Sequence, residues 1–279
     1  MQLSSATFTG FDTEVEDPGI VTISFDNPAT LNASTGAMKR DLVEVLTQVQ
    51  MDDALRVVVF TGRGRAFWAG DDLSGAQPDR SDAVVPDIHG GHHSAMGTYN
   101  GLRVISQAVN TAVRNLDKLT IAAINGFAVQ TGFSLALAAD FRIAARSARM
   151  GSATLRFGLL PDEGGQYLLV QHLGVAGAMD FMMRKRMVDA EEALRLGLVH
   201  DVVDDDALMP AARDLAHELA DGPQVAMRML KRSIYLAAEQ TWSQSLEDIA
   251  ARTAVTDHHP DAREGGAAFR EKRQPRFNA

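Results

Sequence analysis

The run Ile20-Val21-Thr22-Ile23-Ser24-Phe25 is apolar, β-branched and closed by Asp26-Asn27-Pro28, so it predicts a strand ending in a turn. Ser34 then stands as the cap of a predicted helix with an apolar face through Met38, Leu42, Val45, Leu46 and Val49. Residues 56–61 form a nearly continuous apolar run closed by Gly62, the pattern of a strand covered by helices on both faces. Residues 65–93 are rich in Gly, Asp, Pro and Ser and have no period, which predicts a long loop of the kind that carries function. A helix is predicted over 94–115, a buried strand over 120–126, a very apolar helix over 132–139 and a strand over 141–145. Alternation of this kind predicts an α/β fold. Beyond a last apolar stretch at 198–203 the pattern is helical only, over 208–220, 223–239, 243–253 and 261–273. Pro223 suits the first turn of such a helix. The expected division is an α/β core over 1–200 and a helical region over 201–279.

The chain has 279 residues, of which 46% are hydrophobic and 23% charged, enough to bury a core without staples. It has no cysteine, which removes disulfides, thiolate metal sites and a Cys nucleophile. A net charge of -9 argues against general binding to nucleic acid or to anionic membranes. No stretch reaches the roughly 20 apolar residues of a membrane helix, and no secretory signal is visible at the start. The expected location is the cytoplasm. His89, His92 and His93 fall in the long loop and His258 and His259 near the tail, without visible convergence on a metal. No G-x-S-x-G elbow singles out a serine.

Three segments are candidates for chemistry. The segment 66–73, AFWAGDDL, follows a buried strand, and its small residues allow close backbone approach to a ligand. The segment 125–132, NGFAVQTG, leads into an apolar helix whose free N–H groups suit a developing oxyanion. The segment 159–165, LLPDEGG, puts two carboxylates in a turn beside apolar residues. Each taken alone reads first as structure: a strand exit, a helix start or a solvated cap.

Together, these segments resemble the crotonase superfamily, the enoyl-CoA hydratase/isomerase family. FDNPATLNA, AAINGFAVQTGFSLALAADFRIA, GLLPDEGGQ, AEEALRLGLVHDVV and the closing GGAAFREKRQPRF extend the likeness along nearly the whole chain. The resemblance implies a core of repeated ββα units with a C-terminal helical region that builds a homotrimer or a dimer of trimers. It implies an acyl-CoA substrate, with coenzyme A part of the substrate and no other cofactor or metal. Two backbone N–H groups that hold the thioester oxygen map onto Ala69 and Thr131. Residues Ala69, Gly70, Asp71, Asp72 and Leu73 map onto the coenzyme A wall, and Lys272 onto a lysine that reaches the phosphates.

The family's hydratases use two glutamates, and the matching positions here are Ser134 and Thr154. Alcohols stay protonated near neutrality, so neither is a base unaided. What remains is Asp162, which resembles the single acid of the family's isomerases, with Glu163 as the rival. The flanking Leu159, Leu160 and Pro161 predict a poorly solvated Asp162 with a raised pKa. Met96, Tyr99 and Trp68 are candidates to line the acyl pocket. The expected activity is double-bond isomerisation through an enolate held in an oxyanion hole. The alternatives are hydration, hydrolysis of a C–C or thioester bond, or acyl-CoA binding without catalysis. Leu208, Ala212, Leu215 and Leu219 form an apolar stripe that is expected to pack against neighbouring subunits.

Overall fold

The computed structural model describes residues 7–72 and 94–278. Leu73 and the histidines at 89, 92 and 93 lie outside the described residues. Strand β1 (Phe11–Glu16) pairs antiparallel with β2 (Ile20–Phe25). Helix α1 (Gly36–Met51) then crosses to β3 (Val57–Gly62), parallel to β2. Its cap is Thr35, whose Oγ1 accepts the Met38 N–H at 3.2 Å, so the expected cap shifts by one residue from Ser34.

Next, β3 and β4 (Ala66–Trp68) lead to α2 (Ala95–Gly101). A wide π-type turn over Leu102–Ser106 joins α2 to α3 (Gln107–Asn115). The pair β5 (Leu119–Ile124) and β6 (Phe127–Val129) leads to α4 (Thr131–Ala138). The pair β7 (Phe141–Ala145) and β8 (Arg149–Gly151) leads to α5 (Gly165–Met183), which is interrupted at Gly174. In the units that begin with β3, β5 and β7 the first strand enters a six-stranded sheet, β1-β2-β3-β5-β7-β10, and the second enters a four-stranded sheet, β4-β6-β8-β9. The corner between sheets is tied by Asn125, whose Oδ1 accepts the Gly62 N–H at 3.0 Å while Nδ2 donates to Gly64 O at 3.0 Å. The α/β fold of repeated ββα units is thus present, and the continuous apolar strands β3 and β5 are buried on both faces.

Strand β9 (Met187–Asp189), α6 (Ala190–Arg195) and β10 (Asp201–Val203) follow, and β10 pairs with β7 in the large sheet. Helix α7 (Leu208–Asp221) lays Leu208, Ala212, Ala216 and Leu219 on the sheet residues Ile20, Val57, Val59 and Ile121. Its apolar stripe therefore covers its own sheet, not a neighbour, because the outer face of a mostly parallel sheet must be buried. The α/β core accordingly runs past residue 200 to about Gly222. Helices α8 (Gln224–Ala237), α9 (Trp242–Asp257) and α10 (Pro260–Glu271) complete the chain. Among the described residues no helix is long and apolar enough to cross a membrane.

Candidate active site

Where β4 leaves the small sheet, residue 71 bridges to Ser34. Ser34 N donates to Gly70 O at 2.9 Å and Asp72 N donates to Ser34 O at 2.9 Å. This register turns the Asp71 N–H away from the bridge, and it has no hydrogen-bond acceptor among the described residues. The Ala69 N–H, by contrast, donates to Leu31 O at 3.1 Å. The expectation of a free donor at Ala69 is corrected accordingly: the open N–H lies two residues further on. The Asp71 carboxylate accepts from Ser34 Oγ at 2.9 Å, from Thr131 Oγ1 at 3.1 Å and from Lys39 Nζ at 2.8 Å. Lys39 is 4% exposed and also donates to Ser106 Oγ at 3.2 Å, so one buried cation ties α1, the β4 exit and the π-type turn together.

Helix α4 starts against this hub. The N–H of Thr131, its first residue, has no acceptor among the described residues, and the positive end of the helix dipole adds to it. The close approach depends on Gly132, where a Cβ would stand 2.0 Å from Trp68 O. Gln130, just before the helix, has φ 58° and ψ -119°, a backbone region that side chains disfavour. Trp68 is fully buried, tilted against Phe25 at 4.8 Å, and donates from Nε1 to Gly70 O at 3.0 Å. It positions the β4 exit from within the core and lines neither of the two cavities described below. Met96 and Tyr99 of α2 are exposed.

One turn along α4 from Thr131, Ser134 Oγ donates to Glu163 Oε1 at 2.6 Å. Glu163 is 3% exposed, and its Oε2 is buried without a partner. Burial pushes its pKa up to about 7, against the pull of the Ser134 hydroxyl and a backbone N–H, and the neighbouring Asp162 charge pushes the same way. Asp162 is exposed, as are Leu159 at 56% and Leu160 at 70%. The expected desolvation of Asp162 therefore falls on Glu163: the turn aims the second acid inward and the leucines outward. Helix α3 pins this turn, with Gln107 Nε2 donating to Asp162 O at 3.0 Å and Asn110 Nδ2 to Glu163 O at 3.0 Å. A cavity of about 230 Å³ opens between α3 and the start of α5, lined by Gln107, Asn110, Arg114, Glu163 and Tyr167.

The structure thus brings Gly70, Asp71 and Thr131 into one cluster and Ser134 and Glu163 into a second, joined by one turn of α4. Lys272 is exposed at the left-handed end of α10, with φ 55°, and makes no ion pair among the described residues. Gln107, Asn110 and Lys39 were not legible as site residues. Their only signal is polar side chains on helices otherwise turned to the core. A larger cavity of about 390 Å³ lies between α8 and the large sheet, lined by Arg114, Asp140, Arg142, Lys231 and Tyr235 among apolar residues. The carboxylate there is fully hydrogen-bonded, whereas Glu163 is not, which places the candidate chemistry in the smaller cavity.

Residues 16–279 match the family model described as enoyl-CoA hydratase/isomerase. The chain is 35% identical over 264 residues to the 1,2-epoxyphenylacetyl-CoA isomerase of Escherichia coli K12, covering 94% of this chain and 95% of that one. It is 36% identical over 263 residues to the carnitinyl-CoA dehydratase of Citrobacter koseri, covering 92% and 94%. The crystal structure of an enoyl-CoA hydratase from Bacillus anthracis superposes with a TM-score of 0.86 at 30% identity, covering 96% and 99%. The chain belongs to the enoyl-CoA hydratase/isomerase family, and its relatives are enzymes.

Proposed function

We propose that this member of the enoyl-CoA hydratase/isomerase family moves a proton along the acyl chain of a coenzyme A thioester, as a double-bond isomerase. The backbone N–H groups of Asp71 and Thr131 hold the thioester oxygen, where negative charge develops as the enolate forms. Donors aimed at such a charge contribute about 3–4 kcal/mol each. Glu163 takes the α-proton and returns it to a carbon further along. A base works best with a pKa near the working pH. The observation that carries the reading is the half-satisfied Glu163 carboxyl, buried, with a pKa near 7, and held by Ser134 at 2.6 Å. Of the two acid positions of the family's hydratases, both here carry hydroxyls, Ser134 and Thr154. One carboxylate suffices for a proton shift, whereas two share the work of adding water. No metal or redox group is needed, and coenzyme A enters with the substrate. The backbone of 69–72 borders its pantetheine end.

Lys272 is exposed and makes no ion pair among the described residues, which suits contact with the phosphates across a subunit boundary. The assembly proposed is a homotrimer or a dimer of trimers. Support comes from Val175, Met179 and Met183, one exposed apolar stripe on α5 at 69%, 53% and 56%. Light scattering would show this directly, and a stable 30.1 kDa species would remove it.

The test of the chemistry is exchange of α-protons of a saturated acyl-CoA in D2O, read by mass spectrometry. Glu163→Gln is expected to lower exchange by about 10³-fold, and Asp162→Asn by less than about tenfold. The reverse ranking would return the role to Asp162. Product mass with an enoyl-CoA separates the reactions: an isomer keeps its mass and a hydrate gains water.

A further inference from the structure

We propose that Arg114 binds a carboxylate at the far end of the acyl group, so that this site takes ω-carboxyacyl thioesters. The inference rests on the acyl-CoA reading above. The cavity beside Glu163 carries polar side chains, Gln107, Asn110, Thr111 and Arg114, on a wall that also holds Leu168 and the Tyr167 ring, so it offers an apolar path with a cationic end. Arg114 is half-buried, with its guanidinium 4.4 Å from the Tyr235 ring centre and 5.8 Å from that of Tyr167. Two aromatic rings flank a group whose forked donors match a carboxylate.

That fork is open. Arg114 makes no ion pair and no hydrogen bond to any described residue. The acids around it are committed elsewhere. Asp140 accepts from the Thr120 N–H and hydroxyl, from Lys231 and from Tyr235. Glu239 accepts the Tyr167 hydroxyl. The other arginine of this region, Arg142, spends its donors on the carbonyls of Leu198 and Ala139. Arg114 also lines both cavities, at the boundary between the acid turn and the space under α8.

Helix α3 carries both the residues that hold the acid turn and Arg114. Gln107 and Asn110 hold the turn that carries Glu163, and Arg114 lies one turn beyond Asn110 on the same face. Four residues of helix advance about 6 Å. An acyl group of a few carbons with an anionic end is therefore the probe that tests this placement, and adipoyl is the one chosen. A bidentate, charge-assisted pair would hold it there.

The experiment compares binding of adipoyl-CoA, hexanoyl-CoA and the monomethyl ester of adipoyl-CoA by calorimetry, with α-proton exchange measured in parallel. Adipoyl-CoA is expected to bind at least about tenfold tighter than the other two. Arg114→Met should erase that difference while leaving hexanoyl-CoA bound, and Arg114→Lys should keep part of it. Equal binding of the three thioesters, or a preference that survives Arg114→Met, overturns the assignment. If Arg114→Met does not fold, the acid-versus-ester comparison on the unaltered protein still decides. Tight adipoyl-CoA binding without exchange leaves Arg114 in place and removes the catalytic reading. Exchange without a carboxylate preference does the opposite. Binding of none of the thioesters removes both.

Discussion

Glu163 and Asp140 are both carboxylates sunk into the same molecule, and their surroundings differ in one respect. Asp140 accepts from four donors: the Thr120 N–H at 2.8 Å, the Thr120 hydroxyl at 2.8 Å, Lys231 at 2.7 Å and Tyr235 at 2.6 Å. Glu163 accepts from Ser134 and leaves Oε2 buried and bare. The paired acid compensates a cation whose own pKa burial drives down, and so it knits α8 to the large sheet. The bare acid pairs with no cation among the described residues, and burial raises its pKa into the range where it can both take and give a proton. Burial alone therefore does not mark a catalytic carboxylate; the number of donors it lacks does.

The contrast breaks first at Asp140. Asp140→Ala leaves Lys231, 4% exposed in its side chain, as an uncompensated buried charge, and should cost about 3–5 kcal/mol in denaturant unfolding. Adding Lys231→Met should recover most of that loss. If the single variant loses less than about 1 kcal/mol, the cluster is not the structural tie described.

Glu163 should behave oppositely. Its ordinary value is 4.5 and its folded value about 7, so the folded protein binds that proton more readily than the unfolded chain. The ionised acid therefore destabilises the fold above about pH 7, the penalty shrinks as pH falls from 7 toward 4.5, and it is gone below 4.5. Glu163→Gln keeps an acceptor for Ser134 and removes the charge. It should stabilise by about 2 kcal/mol at pH 8 and converge with the unaltered protein below 4.5 in thermal melts across pH. A loss of stability at pH 8 would show that Glu163 has a partner after all.

The smallest effect sharpens the comparison at the hydroxyl. The Ser134 hydroxyl stabilises the ionised form of Glu163 and so holds its pKa down, and Ser134→Ala should raise that pKa further. Since the base must be ionised, the acid limb of kcat/KM against pH should move to higher pH. A limb that moves down or stays put would exclude Glu163 as the titrating base.

Much of this frame was legible in the residues alone. Strands β2 and β3 are apolar, β-branched runs that read as sheet interior, and β5 and β7 were legible as short apolar runs bounded by turn residues. The three-residue strands β4, β6, β8 and β9 were not legible, because three residues carry no measurable alternation. The stripe on α7 was visible, but a stripe does not say which surface it covers. At the site, Asp162 and Glu163 are neighbours in near-identical local sequence. Which of them turns inward is decided by Gly164, with φ 94°, and by a serine 29 residues away on α4. The open N–H at Asp71, and not at Ala69, follows from the bridge to Ser34, a contact between segments 37 residues apart. Local pattern finds the segments, and long-range register chooses the atoms.

The backbone at Gln130 carries a consequence for how this site can change. A Cβ placed on Gly70, which has φ 99°, would stand 2.9 Å from Gln130 Cβ. The β4 exit and the start of α4 therefore share space for a single side chain, and Gln130 holds it despite its own unfavourable backbone angles. Substitutions at the two positions are not independent. Gln130→Gly relieves the strain and frees the volume, and only in that background does Gly70→Ala become sterically accessible, though still at a left-handed φ. The two loops that present the candidate oxyanion donors thus form a two-position lock, and any lineage or library that remodels the thioester end of the pocket must pass through the 130 position before the 70 position.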